Sequence, residues 1–156
     1  MATRRALALI ALQLLFLGTA SGREYDAPHA YKGDHPLADT ALLFAEDIDS
    51  PEFRMSHVVD VDGMSMVKVW WGGPAHSVRV IPGTHRFMLR AMWDLRGGYQ
   101  STRFTEQYIG FEVPDMQPLH IYVVRYRKVS EGAKVSIEDL GERAEYHPTL
   151  AITPKF

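Results

Sequence analysis

The 156-residue chain contains no cysteine. This absence excludes a disulfide framework and any zinc or redox site built from thiolates. It also excludes a lipid anchor attached to a cysteine behind a signal sequence. Secreted eukaryotic domains of this size commonly use disulfides, so the composition is more typical of a periplasmic or secreted bacterial protein.

A large excess of charge of one sign is also missing. The formal net charge is −2, and it becomes −4 if Arg4 and Arg5 are removed with the N-terminus. A chain this close to neutral has no long-range attraction for nucleic acid or for an anionic membrane. We therefore expect no nucleic-acid partner.

The only long apolar run stands at the N-terminus. Arg4-Arg5 precede the run Ala6 to Gly18, and the small residues Thr19-Ala20-Ser21-Gly22 follow it. This order is typical of a secretory signal peptide, and the run is shorter than the roughly 20 residues of a membrane span. We predict a signal peptide over residues 1–22, cleaved after Ala20 or Gly22. The mature protein is then expected to be soluble, periplasmic or secreted, and without a membrane span.

Helical periodicity is the next absence, because no segment sustains an apolar stripe at a spacing of 3.6 residues. Short runs rich in β-branched and aromatic residues alternate instead with turn residues, such as Asp62-Gly63, Pro82-Gly83 and Gly97-Gly98. Strands at this spacing predict an all-β protein, an antiparallel β-sandwich of seven to nine strands of the immunoglobulin or transthyretin kind. We assign residues 23–37 to an extended arm and 38–156 to a single sandwich domain.

Alternation within the strands predicts which side chains face the core. In the run His85 to Asp94 the inward residues are Phe87, Leu89, Ala91 and Trp93, and in the run His57 to Val61 one face holds His57, Val59 and Val61. Gly110 interrupts a long strand-like stretch, which predicts a bulge or break there.

Two turn motifs resemble those of a known group of domains. Val61-Asp62-Gly63 ends one strand, and Ile81-Pro82-Gly83-Thr84-His85 opens another; Ile121-Tyr122-Val123 is similar to a later strand of the group. The pattern resembles small bacterial envelope sandwiches of the PEGA and transthyretin-like kind. The resemblance implies an accessory or binding module of the cell envelope and implies no catalytic residue.

Metal-ligating side chains suggest one alternative. Met64 and Met66 flank Ser65, and His57 lies one hairpin arm away. Thioethers and imidazoles are ligands that suit copper. The alternative function is therefore periplasmic copper binding by His57, Met64 and Met66, although methionine also fills gaps in protein cores.

Aromatic and basic side chains suggest a binding surface. The adjacent Trp70 and Trp71 must point to opposite faces of a strand, so one of them can be exposed. Arg86 and Arg90 point outward and either join a basic stripe or pair with carboxylates on a neighbouring strand. We name Trp70, Trp71, Arg86 and Arg90 as candidate binding residues.

No catalytic motif is recognisable, and Gly-x-Ser-x-Gly is absent. We therefore expect a non-enzymatic, exported accessory or binding module of the cell envelope without a cofactor, whose partner is an envelope protein or a glycan. A second alternative is a small outer-membrane β-barrel, which the signal sequence and the terminal Phe156 suggest.

Overall fold

The computed structural model describes residues 27–47, 49–53, 55–67, 75–94 and 104–142. The predicted signal peptide lies outside these ranges. Within them the chain forms eight β-strands and two short 3₁₀ helices, Leu37–Asp39 and Pro51–Phe53. The strands are β1 (Ala41–Phe44), β2 (His57–Val61), β3 (Met64–Ser65), β4 (Ser77–Val80), β5 (Gly83–Asp94), β6 (Phe104–Met116), β7 (His120–Val129) and β8 (Gly132–Glu142).

The strands form two four-stranded sheets that pack face to face. Sheet A has the order β4-β1-β7-β8 and sheet B the order β3-β2-β5-β6. All pairings between these strands are antiparallel except the one between β1 and β7, which is parallel. The predicted all-β sandwich is therefore confirmed.

The core lies between the sheets and follows the predicted alternation in β5. Phe87, Leu89, Ala91 and Trp93 are at most 4% exposed, and they meet residues of sheet A such as Leu43, Val78, Val80 and Val124. Full burial of an aliphatic or aromatic side chain of this kind contributes about 1.5–3 kcal/mol. Phe53, from the second 3₁₀ helix, is fully buried and stacks on Tyr126 with 4.8 Å between ring centroids.

Strand β1 and the first half of β7, residues 121–124, are apolar on both faces. A second cluster of Phe44, Ile121 and Val123, with Leu42 and Leu140 packed against it, lies on the face of sheet A that points away from the core. Two-sided burial explains why β1 and residues 121–124 of β7 are continuous apolar runs and not alternating ones.

Two local predictions are wrong. The register of β2 against β5 shifts between Val58 and Asp60, so His57 and Val59 do not share a face with Val61. This bulge places Val58 and Val61 in the core and leaves Val59 half-buried. Gly110 forms no bulge, because it pairs with Met88 in an unbroken register.

The described part of the N-terminal segment is bound to sheet A. The amide of Ala30 donates to the carbonyl of Arg79, and the amide of Arg79 donates to the carbonyl of Pro28, both at 2.9 Å. These bonds extend the sheet beyond β4 by one short parallel bridge between His29 and Arg79. None of the helices among the described residues has the length and apolar character needed to cross a bilayer.

Candidate functional site

The outward side chains of β2, β5 and β6 form one surface, which we call the outer face of sheet B. The strand register arranges them in rows: Asp60, Met88 and Gly110 form one row, and His57, Arg90 and Tyr108 form the next. Arg86 lies opposite Glu112 in the row before them. Side chains separated along the sequence thus become neighbours on this face.

An open groove of about 850 Å³ occupies this face. Its lining includes Asp60, Asp62, Thr84, Arg86, Met88 and Glu112, with Gly110 at its base. A Cβ at Gly110 would lie 3.5 Å from the Cε atom of Met88, which is ordinary van der Waals contact. The groove is therefore deepened by the missing side chain, while the backbone there does not require glycine.

Two large hydrophobic side chains among the described residues are exposed on the outer face of sheet B. Met88 is 37% exposed and Tyr108 is 58% exposed. A thioether and a phenol on an open sheet, bordered by charged groups, match the composition that is enriched in protein interfaces.

Cross-strand ion pairs lie beside Met88 and Tyr108 on the same face. Nε of Arg86 donates to Oε2 of Glu112 at 3.1 Å, and Nε of Arg90 donates to Oε2 of Glu106 at 2.7 Å. Of the two roles that the sequence left open for Arg86 and Arg90, the structure shows pairing with neighbouring carboxylates. The groove therefore has fixed charges of both signs along its borders.

One wall of the groove is the turn between β2 and β3. Asp62 and Gly63 have φ angles of 52° and 83°, as expected for the left-handed residues of a tight hairpin. Oδ1 of Asp60 accepts a hydrogen bond of 2.8 Å from the amide of Gly63. The predicted Asp-Gly turn is thus present, and it holds Asp62 beside the groove.

His57 lies at the far end of the same face and is buried. Burial, with a smaller contribution from His76, lowers the pKa of His57 to about 4, so the imidazole is neutral at neutral pH. The two rings meet edge to face with 5.3 Å between centroids. Nδ1 of His57 is buried without a hydrogen-bond partner, while Nδ1 of His76 lies 2.7 Å from Oε1 of the buried Glu46.

A second charged group lies at one end of sheet A. Arg125 on β7 bonds Asp47 at 2.5 Å, Asp49 at 2.8 Å and Glu138 at 2.6 Å. Burial lowers the pKa of Arg125, but the hydrogen bonds to Glu138 and Asp47 outweigh it and raise the pKa above its ordinary value. This network ties the β1–β2 connection to β7 and β8.

The predicted metal ligands are spread along β2 and β3. Met64 pairs with Val61, at the end of β2 away from His57, and four strand residues span about 13 Å. Met66 is 4% exposed and belongs to the core. Within the described residues no group of three or more histidine, aspartate or glutamate side chains is arranged to hold a metal ion. The structure does not bring Met64 to His57, and copper binding stays a prediction.

Of the four predicted binding residues, the structure describes two. Arg86 and Arg90 lie on the outer face of sheet B, whereas Trp70 and Trp71 lie outside the described residues. The binding residues named from the sequence do not include Tyr108 or Gly110. The available signal was the set of every second residue along β6, Glu106, Tyr108, Gly110 and Glu112, which share one face of the strand. The two glutamates of this set match the arginines of β5 in charge.

Comparisons with models of protein families, with curated proteins and with solved structures find no match to this chain. The resemblance to PEGA and transthyretin-like domains stays a prediction.

Proposed function

We propose that the protein is exported and acts as a non-catalytic binding module that contacts another protein of the cell envelope. The outer face of sheet B is the contact surface. The groove over Gly110, with Met88 and Tyr108 exposed beside it, is the observation that supports this role.

The chemistry of the groove favours a protein partner. Aromatic, methionine and arginine side chains are the residue types enriched at protein contacts. The charged rows on either side, Arg86 with Glu112 and Arg90 with Glu106, give a partner both donors and acceptors to match. Such charges contribute to specificity and to the rate of association more than to affinity.

A cross-linking experiment in the native host tests the contact surface. A photoreactive phenylalanine replaces Tyr108 in one variant and Lys134, an exposed residue of β8 in sheet A, in a control variant. We expect a discrete adduct with one polypeptide from position 108 and none from position 134. Equal adducts from both positions, or none from position 108, would contradict the proposal.

Gly110 allows binding to be separated from folding. A Gly110→Leu substitution fills the groove, and the backbone of Gly110 has no left-handed φ that a side chain would strain. We expect unchanged or higher stability, because glycine within a strand is unfavourable, together with loss of the adduct from position 108. Ser136→Leu, at an exposed position of β8, is the matched control and is expected to retain the adduct.

Export is tested on the same strains. The protein recovered from the periplasm or medium is expected to have an intact mass that corresponds to a start after Ala20 or Gly22. A cytoplasmic, full-length protein would contradict this part of the proposal.

A further inference from the structure

His85 is buried between the two turns that flank one wall of the groove. It is 7% exposed. Its Nδ1 atom lies 2.6 Å from Oδ2 of Asp62, in the β2–β3 turn, and its Nε2 atom lies 2.7 Å from the carbonyl oxygen of Ile81, which precedes β5. Both ring nitrogens are therefore at short hydrogen-bond distance from oxygen atoms.

Both of these oxygen atoms accept hydrogen bonds. A neutral imidazole carries one N–H group, so it can donate to Asp62 or to Ile81 but not to both. In either neutral tautomer, a nitrogen lone pair would face an oxygen lone pair at less than 3 Å inside the protein. Only the protonated ring satisfies the two contacts, and the carboxylate of Asp62 balances its charge.

We infer that His85 is an imidazolium ion in the folded protein at neutral pH and that it positions the wall of the groove by joining the two turns. The consequence for binding rests on the proposed function; the charge of His85 does not. His85 itself is a positioning residue, because its neighbours Asp62, Thr84 and Arg86 line the groove and it does not.

The contacts around Asp62 support this arrangement. Oδ1 of Asp62 accepts a hydrogen bond of 2.8 Å from the amide of Arg86, while Oδ2 faces His85. Burial raises the pKa of Asp62, but the hydrogen bonds from Arg86 and His85 outweigh it and lower the pKa below its ordinary value. The other charged side chains of this wall are those of Arg86 on β5, Asp60 on β2 and Glu112 on β6.

The contact also connects the two turn motifs. Asp62 belongs to Val-Asp-Gly, and His85, 23 residues further along the chain, belongs to Pro-Gly-Thr-His. Each motif is explicable as turn chemistry by itself, but the hydrogen bond between them gives the aspartate and the histidine a joint role that neither turn requires.

Nitrogen NMR of uniformly ¹⁵N-labelled protein tests the charge. At pH 7 we expect both ring nitrogens of His85 to be protonated in the wild type. In Asp62→Asn, which keeps an oxygen for the amide of Arg86 but removes the negative charge, we expect one of the two protons to be lost. A neutral His85 ring in the wild type at pH 7 would overturn the inference, whatever the protein binds.

Cross-linking from position 108 tests the positioning role, with His85→Gln as the variant and its amide spectrum as the check that the fold persists. We expect loss of the adduct in His85→Gln. An unchanged adduct in a folded His85→Gln variant would overturn the positioning role. Absence of any adduct in the wild type would instead refute the proposed function and leave the NMR result to decide the charge of His85.

Discussion

Replacing Arg125 by methionine removes the cation that neutralises a buried carboxylate. The side chain of Asp47 is 3% exposed and that of Arg125 is 24% exposed, so solvent screens their interaction only in part. Methionine retains the aliphatic length of arginine but leaves the charge of Asp47 without its partner.

The loss of stability in Arg125→Met depends on the hydrogen bonds that Asp47 keeps. Breaking a buried ion pair by removing one partner costs about 3–5 kcal/mol. Asp47 still accepts hydrogen bonds from the amides of Asp49 at 3.0 Å and Tyr126 at 3.3 Å, which partly stabilise the charge. We therefore expect Arg125→Met to lower the free energy of unfolding by about 2–3 kcal/mol.

Urea unfolding followed by tryptophan fluorescence measures the effect, since Trp93 is buried in the core. With a typical slope of about 1–3 kcal/mol per molar urea, the midpoint is expected to fall by about 1–2 M at constant slope. Arg127→Met, an exposed arginine on the same strand, is the control and is expected to stay within about 0.5 kcal/mol of the wild type.

A double variant isolates the charge. Asp47→Asn combined with Arg125→Met removes both charges. It keeps one oxygen, which can accept from the amide of Asp49 but not also from that of Tyr126. We therefore expect the double variant to be more stable than Arg125→Met and about 1–2 kcal/mol less stable than the wild type. If Arg125→Met behaves like the Arg127 control, or if the double variant is no more stable than the single one, the reasoning about the buried carboxylate is refuted.

Two further predictions concern pH and backbone geometry. The pKa of His57 is about 4 in the folded protein and 6.5 in the unfolded chain. The contribution of His57 to stability is therefore greatest above pH 6.5, and it is expected to fall by about 1.5 kcal/mol between pH 6.5 and 5, as the unfolded state takes up the proton. Urea midpoints of His57→Leu should lack this part of the decline, and an equal decline in wild type and variant would contradict the assignment. Gly132 has a φ of 134°, and a Cβ there would overlap the Oε1 atom of Gln107, which accepts the amide of Ala133. Gly132→Ala is expected to cost about 1–3 kcal/mol in thermal or urea unfolding, whereas Gly110→Ala, without that overlap, should cost nothing.

Local pattern predicted the sandwich and many of its details. The two-residue period of β5 assigns Phe87 and Leu89 to the core because antiparallel strands alternate regularly. The Asp62-Gly63 turn is readable because few residues tolerate left-handed backbone conformations. These features depend on neighbours within a few residues of one another.

Features that depend on strand order were not predictable in the same way. The bulge between Val58 and Asp60 changes the facing of His57, and nothing in the short run His57 to Val61 specifies it. A glycine within a strand-like run, such as Gly110, is compatible both with a bend in the strand and with a regular strand that leaves space beside Met88. The contact between Asp62 and His85 requires β2 to lie beside β5, which is a property of the whole sheet.

The parallel pairing of β1 with β7 in sheet A affects the order in which the sheet forms. Leu43 pairs with Tyr122, 79 residues further along the chain, and β1 lies between β4 and β7. β1 therefore has only one edge occupied until β7 is available to pair with it. Closing so long a loop is entropically costly and lowers the folding rate. We expect the completion of sheet A, and with it the cooperative stability of the sandwich, to be a slow and late step of folding.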